Sequence, residues 1–214
     1  MRSRVALALC IALLLLAACS VTRGSGQLAT TQRDVTGFTK VELAGQGNVI
    51  IEQTGSDSLT ISAEDNLLPL LTSDISGDTL VLGTKPNTTI ATTKPITYSL
   101  TVKELDGLAV SGSGTISAPK LATTALSTEI SGSGTITVKG AANDQDLEIS
   151  GSGRYQAEEL TSNTVRARIS GSGKASVVAT DMLDVQISGS GSVTYSGNPQ
   201  VKQQISGSGQ LIKK

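Results

Sequence analysis

The sequence has no histidine and no tryptophan. Without histidine there is no Ser-His nucleophile pair, and the commonest transition-metal ligand is missing. Cysteine occurs only as Cys10 and Cys19. Both belong to an apolar N-terminal segment, so the rest of the chain has neither disulfide nor thiolate. A zinc site there would need carboxylates alone, an improbable set. One phenylalanine (Phe38) and three tyrosines leave no platform for stacking sugars or bases. No basic patch interleaves with aromatics, so nucleic acid is not an expected partner. No cofactor is expected. No long stretch carries a helical period either, whereas Thr, Val and Ile alternate from Phe38 onward, a β pattern.

The N-terminus carries the first positive signal. Arg2 and Arg4 precede an unbroken apolar run, Val5 to Ala18. Its 14 residues fall short of the ~20 that a membrane-spanning helix needs and suit a secretory leader. The run ends Leu16-Ala17-Ala18-Cys19, which resembles a bacterial lipobox. The resemblance implies cleavage of residues 1–18 and a diacylglycerol on Cys19, making the membrane a partner through that lipid. The product would be extracytoplasmic. Ser20 stands where Asp accompanies inner-membrane retention, so outer-membrane sorting is implied in a cell that has an outer membrane. Removing Arg2 and Arg4 leaves 15 basic and 18 acidic residues in a mature chain of 196, one domain's length. Residues 19–33 are polar, small and non-periodic, and read as a flexible tether to a domain over 34–214.

The second signal is a repeat. Ser-Gly-Ser-Gly begins at Ser111, Ser131, Ser150, Ser170, Ser188 and Ser206, with spacings of 20, 19, 20, 18 and 18 residues. That period is too short for a domain and fits one turn of a solenoid. The copies align as apolar-Ser-Gly-Ser-Gly-x-apolar-x-apolar, as in Ile130-SGSG-Thr135-Ile136-Thr137-Val138. Ile130, Gly132, Gly134, Ile136 and Val138 share parity, so a strand enters, the chain bends at the glycines and a second strand leaves. The turn glycines are therefore structural: Gly112, Gly114, Gly132, Gly134, Gly151, Gly153, Gly171, Gly173, Gly189, Gly191, Gly207 and Gly209. Equivalent serines should stack about 4.8 Å apart, within reach of hydroxyl ladders. The predicted fold is all-β, a single-stranded parallel β-helix with coils of about 18–20 residues. A propeller, with blades of ~40 residues or more, and a meander fit less well.

Register can be tested on outward positions. Three residues before each leading apolar position stand Gly107, Ser127, Asp146, Arg166, Asp184 and Lys202. In-register stacking would alternate the last four in sign, which favours neighbouring strands modestly. One residue before it stand Ala109, Glu129, Glu148, Arg168, Gln186 and Gln204, a less ordered column. Upstream, Leu43-Ala-Gly-Gln-Gly-Asn-Val-Ile-Ile51 reads as a divergent coil. Leu59–Ala63, Thr79–Leu82 and Ile96–Val102 read as strands. Asn66-Leu-Leu-Pro-Leu-Leu71 should cover one end of the core, and Lys85–Lys94 should be an exposed loop.

Val35-Thr-Gly-Phe-Thr-Lys-Val-Glu-Leu43, Gly45-Gln-Gly-Asn-Val-Ile-Ile51, Asp78-Thr-Leu-Val-Leu82 and Thr101-Val-Lys-Glu-Leu-Asp-Gly-Leu-Ala-Val-Ser-Gly-Ser-Gly114 follow in that order. Together they resemble the auto-transporter adhesin head GIN domain family, over roughly residues 34–212. The resemblance implies a right-handed parallel β-helix on a secreted or surface-anchored bacterial protein, and it brings no catalytic residues. Lys103 departs from the family pattern, which has proline there.

Two functions from different classes follow. The first is a non-enzymatic, lipid-anchored envelope protein whose rigid polar surface serves adhesion or scaffolding, with a glycan or surface protein as ligand. The second is a polysaccharide-acting enzyme built on Asp181, Asp184, Arg166 and Arg168, since paired carboxylates can do acid/base work. Short coils leave little room for cleft walls and favour the first. The glycine-rich turns lack the Asp of calcium-binding coils, and Asp144, Asp146, Glu158 and Glu159 read as solvated carboxylates rather than a calcium site. No Walker lysine or helix follows the Ser-Gly-Ser-Gly turns, so they are not phosphate loops. The last coil ends Gln210-Leu-Ile-Lys-Lys214 without a capping helix. Its open edge is expected either to be guarded by Lys213 and Lys214 or to pair with another subunit in a homo-oligomer.

Overall fold

The computed structural model describes residues 21–214. The leader and Cys19 lie outside the described residues. In chain order the strands are β1 (Val21–Arg23), β2 (Leu28–Arg33), β3 (Lys40–Gly45), β4 (Asn48–Gln53), β5 (Ser58–Glu64), β6 (Leu71–Ser76), β7 (Thr79–Thr84), β8 (Thr89–Ala91) and β9 (Thr97–Val102). They continue as β10 (Gly107–Gly112), β11 (Thr115–Gly132), β12 (Thr135–Gly151), β13 (Arg154–Gly171), β14 (Lys174–Gly189), β15 (Ser192–Ser196), β16 (Gln200–Gly207) and β17 (Gln210–Lys213). β3 pairs in parallel with β10 and β4 with β11, and from β10 to β17 the strands continue to pair in parallel with their equivalents one coil later. The result is the all-β solenoid expected from the repeat, with about five turns.

Register is the one the repeat dictates. Val110 pairs with Ile130, Ile130 with Ile149, Ile149 with Ile169, and Ile169 with Ile187. All five are buried, and Leu43 of the divergent coil stacks on Val110. Each such side chain removed from water is worth about 1.5–3 kcal/mol, so the column supplies much of the driving force. Backbone hydrogen bonds continue around the corner: the Ser133 N–H donates to the Gly112 carbonyl (2.9 Å), and the Thr135 N–H to that of Gly114 (3.0 Å).

The two glycines of each turn serve different purposes. Gly132 has φ +118°, and a Cβ there would lie 2.7 Å from the Gly112 carbonyl oxygen of the coil above. Gly134 has no such backbone conformation; a Cβ there would overlap Cγ1 of Val110, whose side chain fills the space beneath it. The first glycine is thus required by the bend and the close backbone, the second by the aliphatic side chain of the preceding coil, Leu43 at the first turn and a β-branched residue at the others. Unequal coil lengths are absorbed elsewhere. Register shifts fall between Ala118 and Leu121, Thr137 and Lys139, Gln156 and Thr161, and Ser162 and Thr164, never inside Ser-Gly-Ser-Gly.

The ends differ. At the N-terminal end, β6 turns back antiparallel on β7, and β5 runs antiparallel to both β9 and β2. A 3₁₀ turn over Leu68–Leu70 carries the chain across, flanked by the buried Leu67 and Leu71, so this segment covers the core as expected. At the C-terminal end β16 pairs only with β14, and all eight of its residues are exposed.

Two expectations need correction. The flexible tether over 19–33 is, from residue 21, two strands: β1 pairs with β8 and β2 with β5. Its polar, small composition conceals strands held by edge pairing and side-chain hydrogen bonds rather than by an apolar stripe of their own. The loop over Lys85–Lys94 contains β8, which is β1's partner. The departure at Lys103 has a local reason. Its N–H donates to Asp57 (3.0 Å) and its ammonium lies 3.7 Å from the same carboxylate, neither of which proline offers.

Candidate functional site

Between the inward residues at 108 and 110 and their equivalents, the outward ones form three columns on one face. Ser127, Asp146, Arg166, Asp184 and Lys202 stack in register, as do Glu129, Glu148, Arg168, Gln186 and Gln204 beside them. The third column is the leading serine of each motif, Ser111 through Ser206. Parity alone produces this face, because residues two apart along a strand share a side. The charge column stacks as expected, but the ion pairs are not those of facing neighbours throughout. Arg168 reaches diagonally to Asp146 (2.9 Å), and Lys202 bonds Asp184 (3.3 Å). In the serine column the hydrogen bond formed is to a carboxylate rather than to a neighbouring hydroxyl: Ser111 Oγ donates to Glu42 (2.9 Å).

The face is chemically graded. Glu42, Glu129 and Glu148 lie toward the capped end, and the amides of Gln186 and Gln204 toward the open end. Around Arg168, Ser170, Gln186, Ser188, Gln204 and Ser206 the columns frame an open depression of about 410 Å³. These groups supply hydroxyl and amide donors and acceptors at strand spacing, with one guanidinium.

The four residues considered for acid/base work do not converge on one point. Asp184 is held by Lys202, Arg168 by Asp146, and Asp181 accepts from the Thr180 hydroxyl (2.9 Å) at a different corner. Arg166 neighbours Asp184 in the column. Of the carboxylates weighed for calcium, Asp146 takes Arg168, Glu159 takes Lys139 (2.6 Å) and Glu158 faces Lys214 (3.6 Å). Among the described residues no three carboxylates come together in a metal-holding group.

Two polar constellations carry no signature in the sequence. Inside the solenoid, Gln145 takes an inward position between Leu126 and Val165. Its Oε1 accepts from the Tyr155 hydroxyl (2.7 Å), and its amide donates to Ser162 Oγ (2.6 Å). Burial raises the Tyr155 pKa above the ordinary phenol range.

The other is a clip at the capped end. Glu64 closes β5 and is fully buried. Its carboxylate accepts from the Thr93 hydroxyl (2.6 Å) and from the N–H groups of Gly26 (2.7 Å), Thr93 (2.9 Å) and Lys94 (3.3 Å). Led by the Thr93 hydroxyl, and against the desolvation that opposes it, these donors lower its pKa to about 2. A Cβ on Gly24 would overlap the same carboxylate. Next in sequence, Asp65 accepts from the Ser25 hydroxyl. Asn66 accepts from the Ser25 N–H (2.9 Å) and donates to the Arg23 carbonyl (2.8 Å). Three consecutive residues thus fasten segment 23–26 to the body.

A family model described as "Putative auto-transporter adhesin, head GIN domain" matches residues 37–199. No curated protein matches. Among solved structures, a putative adhesin from Bacteroides fragilis is 24% identical with a TM-score of 0.73, over 90% of this chain and 99% of its own. A putative adhesin from Parabacteroides merdae is 22% identical with a TM-score of 0.59, over 91% and 99%. A putative lipid binding protein from Parabacteroides distasonis is 23% identical with a TM-score of 0.56, over 91% and 100%. At these identities the likeness is one of fold.

Proposed function

From the premise that this chain belongs to the auto-transporter adhesin head GIN domain family, we propose that it is a non-enzymatic, lipid-anchored envelope protein that adheres through its columned polar face. The observation that carries the reading is the in-register stacking of Gln186 on Gln204 and of Ser170 on Ser188 and Ser206. Such a face repeats hydroxyl and amide groups at roughly 4.8 Å, the inter-strand spacing. It suits an extended ligand with repeated hydroxyls, a glycan chain, bound by many weak contacts rather than in a deep pocket. Rigid presentation avoids the ordering cost that a mobile surface incurs on binding. Anchoring is read from Cys19, which would carry the lipid and hold the domain at the membrane outside the cytoplasm.

Two experiments test these parts separately. Glycan arrays probed with the described domain should yield extended polysaccharides as hits, and Gln186→Ala with Gln204→Ala should weaken them at least tenfold while circular dichroism stays unchanged. Arrays with no hits, or hits indifferent to those changes, overturn the adhesion face. Cys19→Ser should abolish fatty-acid labelling and move the protein out of the membrane fraction. Unchanged labelling would reject the anchor.

A further inference from the structure

We propose that the Glu64–Asp65–Asn66 clip presses the capped end of the solenoid against the membrane surface, so that the open end is the distal, presenting end. The inference rests on the lipid anchor at Cys19 read above. A polar N-terminal segment left free would let the domain tumble, since unfastened termini are usually poorly ordered. Here that freedom is removed. Gly26, Ser25 and Arg23 are bonded to Glu64, Asp65 and Asn66, and β1 is paired with β8 along its length. Only Ser20 separates Cys19 from the first paired residue, Val21. Two residue steps reach roughly 7 Å at full extension. An acyl chain on Cys19 therefore brings β1, β8 and the clip to the lipid headgroups.

Chemistry at that end agrees with this placement. Arg23 lies in β1, and Lys85 and Lys94 flank β8, all three in exposed or half-exposed positions suited to anionic headgroups. Val21 is 55% exposed and is the first described residue after the anchor. The opposite end is far away. On the face running β6, β7, β3, β10, β11, β12, β13, β14, β16 there are eight inter-strand steps, roughly 38 Å at the usual strand spacing. The amide-rich part of the columned face would then project outward, and the acidic part, Glu42 and Glu129, would sit nearer the membrane.

Label position reads this directly. The acylated full chain, purified and reconstituted in phosphatidylethanolamine–phosphatidylglycerol vesicles, would carry a fluorophore on Thr92→Cys beside the clip or on Ser206→Cys at the open edge. Both positions are exposed. Headgroup-attached nitroxide should quench the Thr92 label at least threefold more than the Ser206 label. Inserting 15 Gly/Ser residues between Ser20 and Val21 keeps the clip and should erase the difference. Asn66→Ala with Glu64→Gln should reduce it while circular dichroism remains that of a folded solenoid; should that variant fail to fold, the insertion still decides. Equal quenching at both ends of acylated protein, or a difference that survives the insertion, overturns the orientation. Mass spectrometry showing no acyl chain on Cys19 instead overturns the anchor, and this inference with it.

Discussion

Single residues decide how closely two coils can approach. Gly132 and Gly37 both adopt positive φ, +118° and +79°, but only Gly132 has a backbone oxygen within 3 Å of where a Cβ would stand. Gly37→Ala should cost about 1–2 kcal/mol from the left-handed conformation. Gly132→Ala should cost more, because a carbonyl cannot be displaced without moving the neighbouring coil; urea unfolding of the two variants gives the ranking. Gly134 has an ordinary φ and a purely steric constraint. Gly134→Ala should lose about 1–3 kcal/mol through overpacking, and Val110→Ala, which removes the obstructing Cγ1, should recover part of it. A double-mutant cycle without coupling would show that the two do not meet. In the interior, Tyr155→Phe strands Gln145 Oε1 without its donor, which should cost about 1–3 kcal/mol in the same assay. The alternation around each motif made the inward aliphatic residues legible in advance. Gln145 was not legible, because an isolated glutamine at an inward position looks like any surface glutamine until Tyr155 and Ser162 are brought to it.

At the level of elements, the capped end depends on one carboxylate. Glu64 has a folded pKa of about 2, below its ordinary value of 4.5. Between those values the unfolded chain binds a proton that the folded chain does not. The stability Glu64 contributes is therefore complete above about pH 4.5 and is lost as pH falls toward 2. Urea midpoints recorded at pH 6 and pH 3 should show a drop that is smaller in Glu64→Gln; equal drops would mean that the clip does not titrate in this range. The amide variant retains an acceptor oxygen but meets several donors with weaker partial charge, so it should be less stable at neutral pH. Strands β3 to β5, β7 and β9 to β17 were largely legible, because alternation and glycine spacing are local properties. Strands β1, β2 and β8 were not. Their partners lie far along the chain, and Glu64 gathers donors from 38 residues before it and about 30 after it. No local pattern encodes a contact of that separation. For the columned face, sequence spacing located every outward residue, while the diagonal Arg168–Asp146 pair depended on side-chain reach rather than on register.

The whole molecule is asymmetric along its axis, closed by antiparallel strands at one end and open at the other. In a stacked array each coil is supported by its two neighbours, so stability should decline toward an uncovered terminus. Amide hydrogen exchange should be slowest in β12 and β13 and faster by orders of magnitude in β16, which has one partner and no buried residue. Uniform protection from β10 to β16 would mean that another chain covers the open edge, the outcome in which two copies pair there. Stacked Ser-Gly-Ser-Gly corners have a further effect on the molecule's history. The four inner motifs each contact an identical motif above and below, so a coil inserted or removed between two of them would meet surfaces it already fits. Length along the axis is then a counted quantity, like the graduations of a ruler, and duplication of some 18–20 codons would move the presenting end outward by one graduation while each coil keeps contacts of the kind it already makes.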